Sequence, residues 1–190
     1  FAIASHVENA NTYRREWQTQ KDFFWQLTWR APQLQDGTTI LTYGLPMNYY
    51  SDNSLTAPLN WIYQPDNNTT RMPYFLAFTD VRVGASIPEL RKDLPIYQKY
   101  RNAYFEGNTS DMVVVYYSPP SCLRILDPTQ KKTSPYLPNE LSKALSLSDI
   151  SRIIPDASPA VPPEHIFGKQ PAPGWCYYFQ KADLARQSGD

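Results

Sequence analysis

The sequence predicts an α/β or α+β fold with a mixed sheet of about four to six strands, a long amphipathic N-terminal helix and short C-terminal helices. The first observation is a run of apolar residues at helical spacing before Pro32. The second is a set of short apolar runs, rich in β-branched and aromatic residues, that turn residues separate. The third is the 18 prolines among 190 residues, which keep later helices short.

The N-terminal helix is predicted over residues 9–29, with charged residues between its apolar ones. Its apolar positions near helical spacing are Tyr13, Trp17, Phe24 and Leu27. Pro32 ends it. Trp25 and Trp29 make the apolar side of this helix unusually bulky. The helix therefore either packs on a sheet or also meets a membrane surface or a partner.

The next segment predicts a strand, a helix and a second strand. Residues 38–43 and 74–78 have the β-branched and aromatic content of buried strands. Between them, Ser54 is placed to cap a short helix over residues 55–62, and Pro58 limits its first turn. This order gives an alternation of helix and sheet.

Residues 112–117 carry the strongest strand signal in the chain. The Pro-containing turn at 118–121 separates them from 122–126, and the two runs together predict a β-hairpin. Residues 96–105 fit either a helix or a strand. The turn-like segment 106–110 that follows favours a strand over 100–105.

The C-terminal part predicts short helices over residues 138–147 and 150–154, the second capped by Ser148, and then a stiff Pro-rich linker at 158–163. A final helix begins near Trp175. Its shared face carries Trp175, Tyr178, Phe179 and Ala182. The chain is thus divided into the N-terminal helix at 1–32, a mixed α/β domain at 33–154, and a linker with the final helix at 155–190.

Composition excludes several functions. The 18 basic and 18 acidic residues cancel and form no basic stripe, so no nucleic-acid partner is predicted. No apolar run is long enough to span a bilayer. Phosphate-binding glycine loops, a nucleophile elbow and an H-E-x-x-H pair are all missing, so no catalytic residue and no cofactor is assigned. His6 and His165 lie at no ligand spacing from the cysteines, and no metal site is predicted.

A candidate polar-ligand site follows the first strand, where amides, a carboxylate and aromatic rings cluster. Its residues are Tyr49, Tyr50, Asp52, Asn53, Asn60 and Trp61. Rings beside amides and hydroxyls are typical of sugar sites, because a sugar offers both apolar and hydrogen-bonding surface. The alternative is a capped helix that enters the core.

Cys122 and Cys176 are the only cysteines in the sequence. Two cysteines do not supply a four-ligand zinc site. They either form one disulfide, if the chain faces an oxidising compartment, or remain two buried thiols.

Four sets of sequence segments carry a resemblance to a known family: 26–32 with 37–38, 52–55 with 60–63, 115–120 with 122–128, and 175–187. Together they resemble the extracytoplasmic C-terminal region of large bacterial polytopic membrane proteins, some of them glycosyltransferase-like. The resemblance implies membrane helices before Phe1, further chain after Asp190, and a location on the extracytoplasmic face of a bacterial membrane.

The resemblance also implies partners: the protein's own membrane portion or other membrane proteins, and a glycan or lipid-linked sugar. Any glycosyltransferase activity would belong to the membrane portion, because acidic catalytic residues of such enzymes lie there. We therefore expect a non-catalytic domain for interaction, assembly or acceptor positioning. The alternatives are a carbohydrate-binding or carbohydrate-active domain and an accessory subunit released by proteolysis.

Overall fold

The computed structural model describes residues 2–48, 50–129 and 137–189. Its helices are α1 (Ala2–Arg30), α2 (Asp52–Tyr63), α3 (Thr79–Arg82), α4 (Asn139–Ala144), α5 (Glu164–Phe167) and α6 (Trp175–Ser188), with 3₁₀ turns at Leu145–Leu147 and Ile150–Arg152. Its strands are β1 (Gln33–Leu34), β2 (Thr39–Thr42), β3 (Phe75–Phe78), β4 (Pro95–Tyr100), β5 (Ala103–Asn108), β6 (Met112–Tyr116), β7 (Arg124–Ile125) and β8 (Ile153–Ile154). The predicted α+β class, with a long N-terminal helix and short C-terminal helices, is confirmed.

The central sheet has the strand order β3-β2-β6-β7. β2 lies parallel to both β3 and β6, with Thr39 beside Phe75 on one side and Met112 on the other. β7 runs antiparallel to β6, which confirms the predicted hairpin. The sheet is therefore mixed, and β3 forms one of its edges.

Two hydrophobic layers cover the sheet. α1 and α2 pack on one face, where Phe24 and Leu59 are fully buried. The β4–β5 hairpin and α4 pack on the other face through Phe105 and Leu141. Because both faces are covered, all four residues of β2 are buried, which explains its continuous run of apolar and β-branched residues.

The β4–β5 hairpin replaces the single strand predicted at 100–105. The chain reverses at Arg101, whose φ is +50°, and β5 continues to Asn108. The turn predicted at 106–110 was therefore wrong for residues 106–108, which belong to β5. Its signal came from Gly107, but this glycine makes room for a ring: a Cβ atom there would lie 2.6 Å from the side chain of Phe105.

The start of α2 also differs from the prediction. The N-cap is Ser51 rather than Ser54. The main-chain N–H of Ser51 donates to Ser54 Oγ at 3.0 Å, so Ser54 is the third helical residue of a capping arrangement. As a result, Asp52 is inside the helix.

α1 is buried only in its second half. Phe23 and Leu27 are fully buried, whereas Ile3 and Val7 are 81% and 55% exposed. The helix ends at Arg30, two residues before Pro32, as predicted. None of the helices in the described part of the chain combines the length and apolarity that crossing a membrane requires.

Candidate functional site

The residues of the predicted ligand site are distributed over both sides of α2. Asp52 and Asn60 are buried, Tyr50 is half-buried, and Asn53 is exposed. Trp61 is 52% exposed near the other end of the helix. Tyr49 lies outside the described residues. Ligand binding by this set stays a prediction, and the hydrogen bonds of its buried members show what these side chains do in the fold.

Asn60 and Thr56 join α2 to the free edge of β3 and the residue before it. Asn60 Nδ2 donates to Tyr74 O at 2.8 Å, and Tyr74 N–H donates to Asn60 Oδ1 at 3.0 Å. One turn earlier, Leu76 N–H donates to Thr56 Oγ1 at 3.1 Å, and Oγ1 lies 3.2 Å from Leu76 O. These side chains pair with main-chain groups that an edge strand otherwise leaves open.

Asp52 continues this polar row and also binds a cation. Its Oδ2 accepts from Phe78 N–H at 3.3 Å and from Arg82 Nε at 2.6 Å, and its Oδ1 accepts from Arg82 Nη2 at 2.7 Å. Arg82 donates further to Asn53 Oδ1 and, at 3.0 Å, to Gln98 Oε1. The hydrogen bond with Asp52 raises the pKa of Arg82.

The two hydrogen bonds from Arg82 give Asp52 a structural role. A carboxylate that accepts two hydrogen bonds from one guanidinium is fixed in orientation and remains an acceptor. The Arg82 guanidinium also lies over the Phe75 ring, 5.9 Å from its centroid. The pair therefore ties the start of α2 to α3 and to β4, the strand that carries Gln98.

Tyr50 lies in the loop that packs on α1. Glu16 of α1 is buried and accepts from Asn48 through the main-chain N–H at 2.9 Å and Nδ2 at 2.8 Å. Burial raises the pKa of Tyr50, and the nearby carboxylate of Glu16 adds to this effect. Glu16 thus holds this loop against the helix.

A second cluster joins α6 to the rest of the fold. Cys122 and Cys176 are linked as a disulfide, with their Cα atoms 5.3 Å apart. Gln180 Nε2 donates to Leu123 O at 2.7 Å, and Leu123 N–H donates to Gln26 Oε1 at 2.8 Å. Gln26 of α1 and Gln180 of α6 therefore both form hydrogen bonds with the main chain of Leu123.

Arg30 makes the other link between these helices. It is fully buried, its Nε donates to Asp183 Oδ2 at 2.9 Å, and its Nη2 donates to Gln187. Burial lowers the pKa of Arg30, although Asp183 opposes that effect. Because arginine stays protonated even when buried, the link is a true ion pair.

A groove of about 450 Å³ lies between α6 and β7. We call it the α6 groove; its walls are Ser121, Cys122, Arg124, Ile125, Trp175, Phe179 and Asp183. Trp175, Phe179 and Asp183 follow each other at four-residue intervals and so share one helix face. Trp175 is 78% exposed.

The sequence predicted the helix face that forms one wall of this groove, but not the groove. The helical spacing placed Trp175 and Phe179 on one face, together with Tyr178, which is 62% exposed. It gave no sign that Arg124 and Ile125 lie opposite them, because that contact depends on how α6 packs against the sheet. The cysteine pair was the one available signal, since a disulfide between Cys122 and Cys176 brings the two segments together.

Across the described ranges, no cluster of three or more His, Cys, Asp or Glu side chains has an arrangement suited to a metal ion. Comparison of the chain with protein-family models, curated proteins and solved structures gives no significant match.

Proposed function

We propose that this chain is a non-catalytic extracytoplasmic domain of a larger membrane protein and serves interaction or assembly with a glycosyltransferase-like membrane portion. The observation that carries the proposal is the exposed first half of α1. A helix of 29 residues is about 43 Å long, and only its second half packs against the sheet.

The apolar stripe of α1 continues beyond the part that the fold covers. Trp17 and Phe24 lie seven residues apart, and Trp17 stacks on Phe167 with ring centroids 5.8 Å apart. The same seven-residue interval leads back to Ala10 and Ile3, which are exposed. Such an interval is typical of helices that pack along one another, so the exposed stripe fits a partner helix.

Two further features support this proposal. The buried members of the predicted ligand site, Asp52 and Asn60, are hydrogen-bonded within the fold. The Cys122–Cys176 disulfide agrees with an oxidising compartment, where such bonds persist. The hydrogen bonds argue against an enzyme that acts through Asp52 and Asn60, and the disulfide favours an extracytoplasmic location.

Photo-crosslinking in native membranes tests the proposal. A photoreactive amino acid at Val7, on the exposed stripe, should give adducts with the membrane portion of the same protein or with another membrane protein. The same group at Asn9, on the opposite side of the helix, is the matched control and should give few. Equal labelling from both positions, or none from either, would contradict the proposal.

The mass of the native protein separates the proposal from the alternative of a released subunit. The chain has a mass of 21.9 kDa. Immunoblots of native membranes should show a much larger species that carries this domain. A discrete band near 22 kDa as the main form would instead support an accessory subunit released by proteolysis.

A further inference from the structure

The two walls of the α6 groove differ in chemistry. Trp175 and Phe179 give one wall two aromatic rings, one turn of helix apart. Arg124 and Ser121 give the other wall a guanidinium and a hydroxyl, and the carboxylate of Asp183 lies on the α6 side. A ligand in this groove meets aromatic rings and hydrogen-bonding groups together.

We propose that the α6 groove binds a carbohydrate, with a sugar ring stacked on Trp175. A wholly apolar ligand would take water away from the charged groups of Arg124 and Asp183, which is costly even for groups that have partners. A small inorganic ion would leave the Trp175 face unused. A sugar ring has an apolar C–H face and a rim of hydroxyls, so it matches both walls. The groove volume of about 450 Å³ lies within the roughly 300–1,000 Å³ of small-molecule sites.

The groove is held in shape before any ligand binds. The disulfide fixes Cys176, the residue next to Trp175, to Cys122 on the other wall. At the far end, Asp183 is held by Arg30 at 2.9 Å and by Arg186 at 2.6 Å. Because these contacts fix α6, binding would order few side chains, and that lowers its entropic cost.

The carboxylate of Asp183 keeps a role for the ligand despite these two ion pairs. Each carboxylate oxygen has two acceptor positions. Arg186 donates twice to Asp183 Oδ1, at 2.6 and 3.1 Å, and Arg30 donates once to Oδ2, so one position on Oδ2 is left for a ligand. A sugar hydroxyl both donates and accepts, so it suits the carboxylate of Asp183 and the guanidinium of Arg124 alike. The proposed site is separate from the α1 stripe and does not depend on the function proposed for it.

Saturation-transfer NMR on the 190-residue chain tests the inference. The probes are methyl glycosides of glucose, galactose, mannose and arabinose, and the β-1,4- and α-1,6-linked glucose disaccharides. At least one should give a saturable signal. Trp175→Ala should weaken its binding at least about tenfold, and Trp175→Phe should keep most of it, because a smaller ring still stacks.

Tyr97→Ala is the matched control, because it removes another exposed aromatic ring from β4, outside both candidate sites. It should leave the affinity within about twofold of the wild type. Near-UV circular dichroism and urea unfolding confirm that each variant is folded. The inference is overturned if no probe binds saturably, or if folded Trp175→Ala binds as tightly as the wild type.

Discussion

The side-chain amide of Asn60 forms a two-way hydrogen bond with the main chain of Tyr74, accepting from its N–H at 3.0 Å and donating to its C=O at 2.8 Å. One helical turn earlier, Thr56 Oγ1 accepts from Leu76 N–H at 3.1 Å, and its single hydroxyl hydrogen faces Asp52 O at 3.0 Å and Leu76 O at 3.2 Å. Four helical residues rise about 6 Å and two strand residues about 6.6 Å. Every fourth side chain of α2 therefore lies opposite every second residue along β3. A helix thus takes the place of a further strand at this edge of the sheet.

Replacing Asn60 with alanine should leave both main-chain groups of Tyr74 buried without a partner. Each such group costs about 1–3 kcal/mol, so we expect Asn60→Ala to lower the free energy of unfolding by about 2–4 kcal/mol. Asn68→Ala, at an exposed asparagine, should change it by less than about 0.5 kcal/mol. Urea titrations measure both. Equal effects of the two substitutions would show that the Asn60 amide is not a structural link.

Arg82→Met should destabilise the fold by about 3–5 kcal/mol, because it leaves the carboxylate of Asp52 buried without its cation. Asp52 is 1% exposed, so water does not replace the lost partner. The matched control is Arg91→Met, which breaks the exposed pair with Glu89 and should cost less than about 1 kcal/mol. If urea unfolding gives similar losses for both variants, Asp52 is solvated in solution.

The elements that the sequence predicts well are those with a local signal. β2, β3 and β6 are short apolar runs between turn residues, and the covered second half of α1 repeats its apolar residues at helical spacing. The β1–β8 pair has no such signal. It joins Gln33 to Ile154, and only the packing of the whole chain sets that contact.

The candidate sites were also hard to predict, because their contacts depend on how distant parts of the chain pack together. Asp52 and Asn60 are residue types that often line polar-ligand sites. In the structure they bind Arg82 and Tyr74 instead, which come later in the chain. Nothing local to α2 distinguishes an amide that binds a ligand from one that binds a strand. In the α6 groove, the aromatic wall could be predicted because its residues are neighbours on one helix. The polar wall, with Arg124, could not, because it comes from a distant part of the chain.

Alkaline pH should destabilise the protein through its buried tyrosines. Tyr63 donates to Ala31 O at 2.8 Å, Tyr74 donates to Leu34 O at 2.9 Å, and burial raises the pKa of both. Burial raises the pKa of Tyr100 to about 12. Tyrosines of the unfolded chain titrate near pH 10, so their contribution to stability is complete below about pH 10 and is lost as the pH rises through the folded values.

Urea titrations from pH 8 to 11.5 measure this loss. The free energy of unfolding should fall above about pH 10, because the unfolded chain then releases protons that the folded chain keeps. Tyr100→Phe should make the fall shallower. At pH 8 tyrosine is neutral in the folded and the unfolded chain, so the stability of each protein at that pH is the reference for its own fall. A pH dependence identical to that of the wild type would contradict the burial of the Tyr100 hydroxyl.

Loss of the Cys122–Cys176 disulfide should lower the free energy of unfolding by about 4 kcal/mol, because the bond closes a long loop, with a sequence separation of 54 residues, in the unfolded chain. Peptide mapping without reductant should recover the two cysteines in one linked peptide. Urea titrations with and without reductant measure the stability, and the double variant Cys122→Ser, Cys176→Ser should not respond to reductant. Two alkylatable thiols in protein isolated from its native source without reductant would contradict the disulfide. They would also weaken the proposed extracytoplasmic location, since reducing compartments keep cysteines as free thiols.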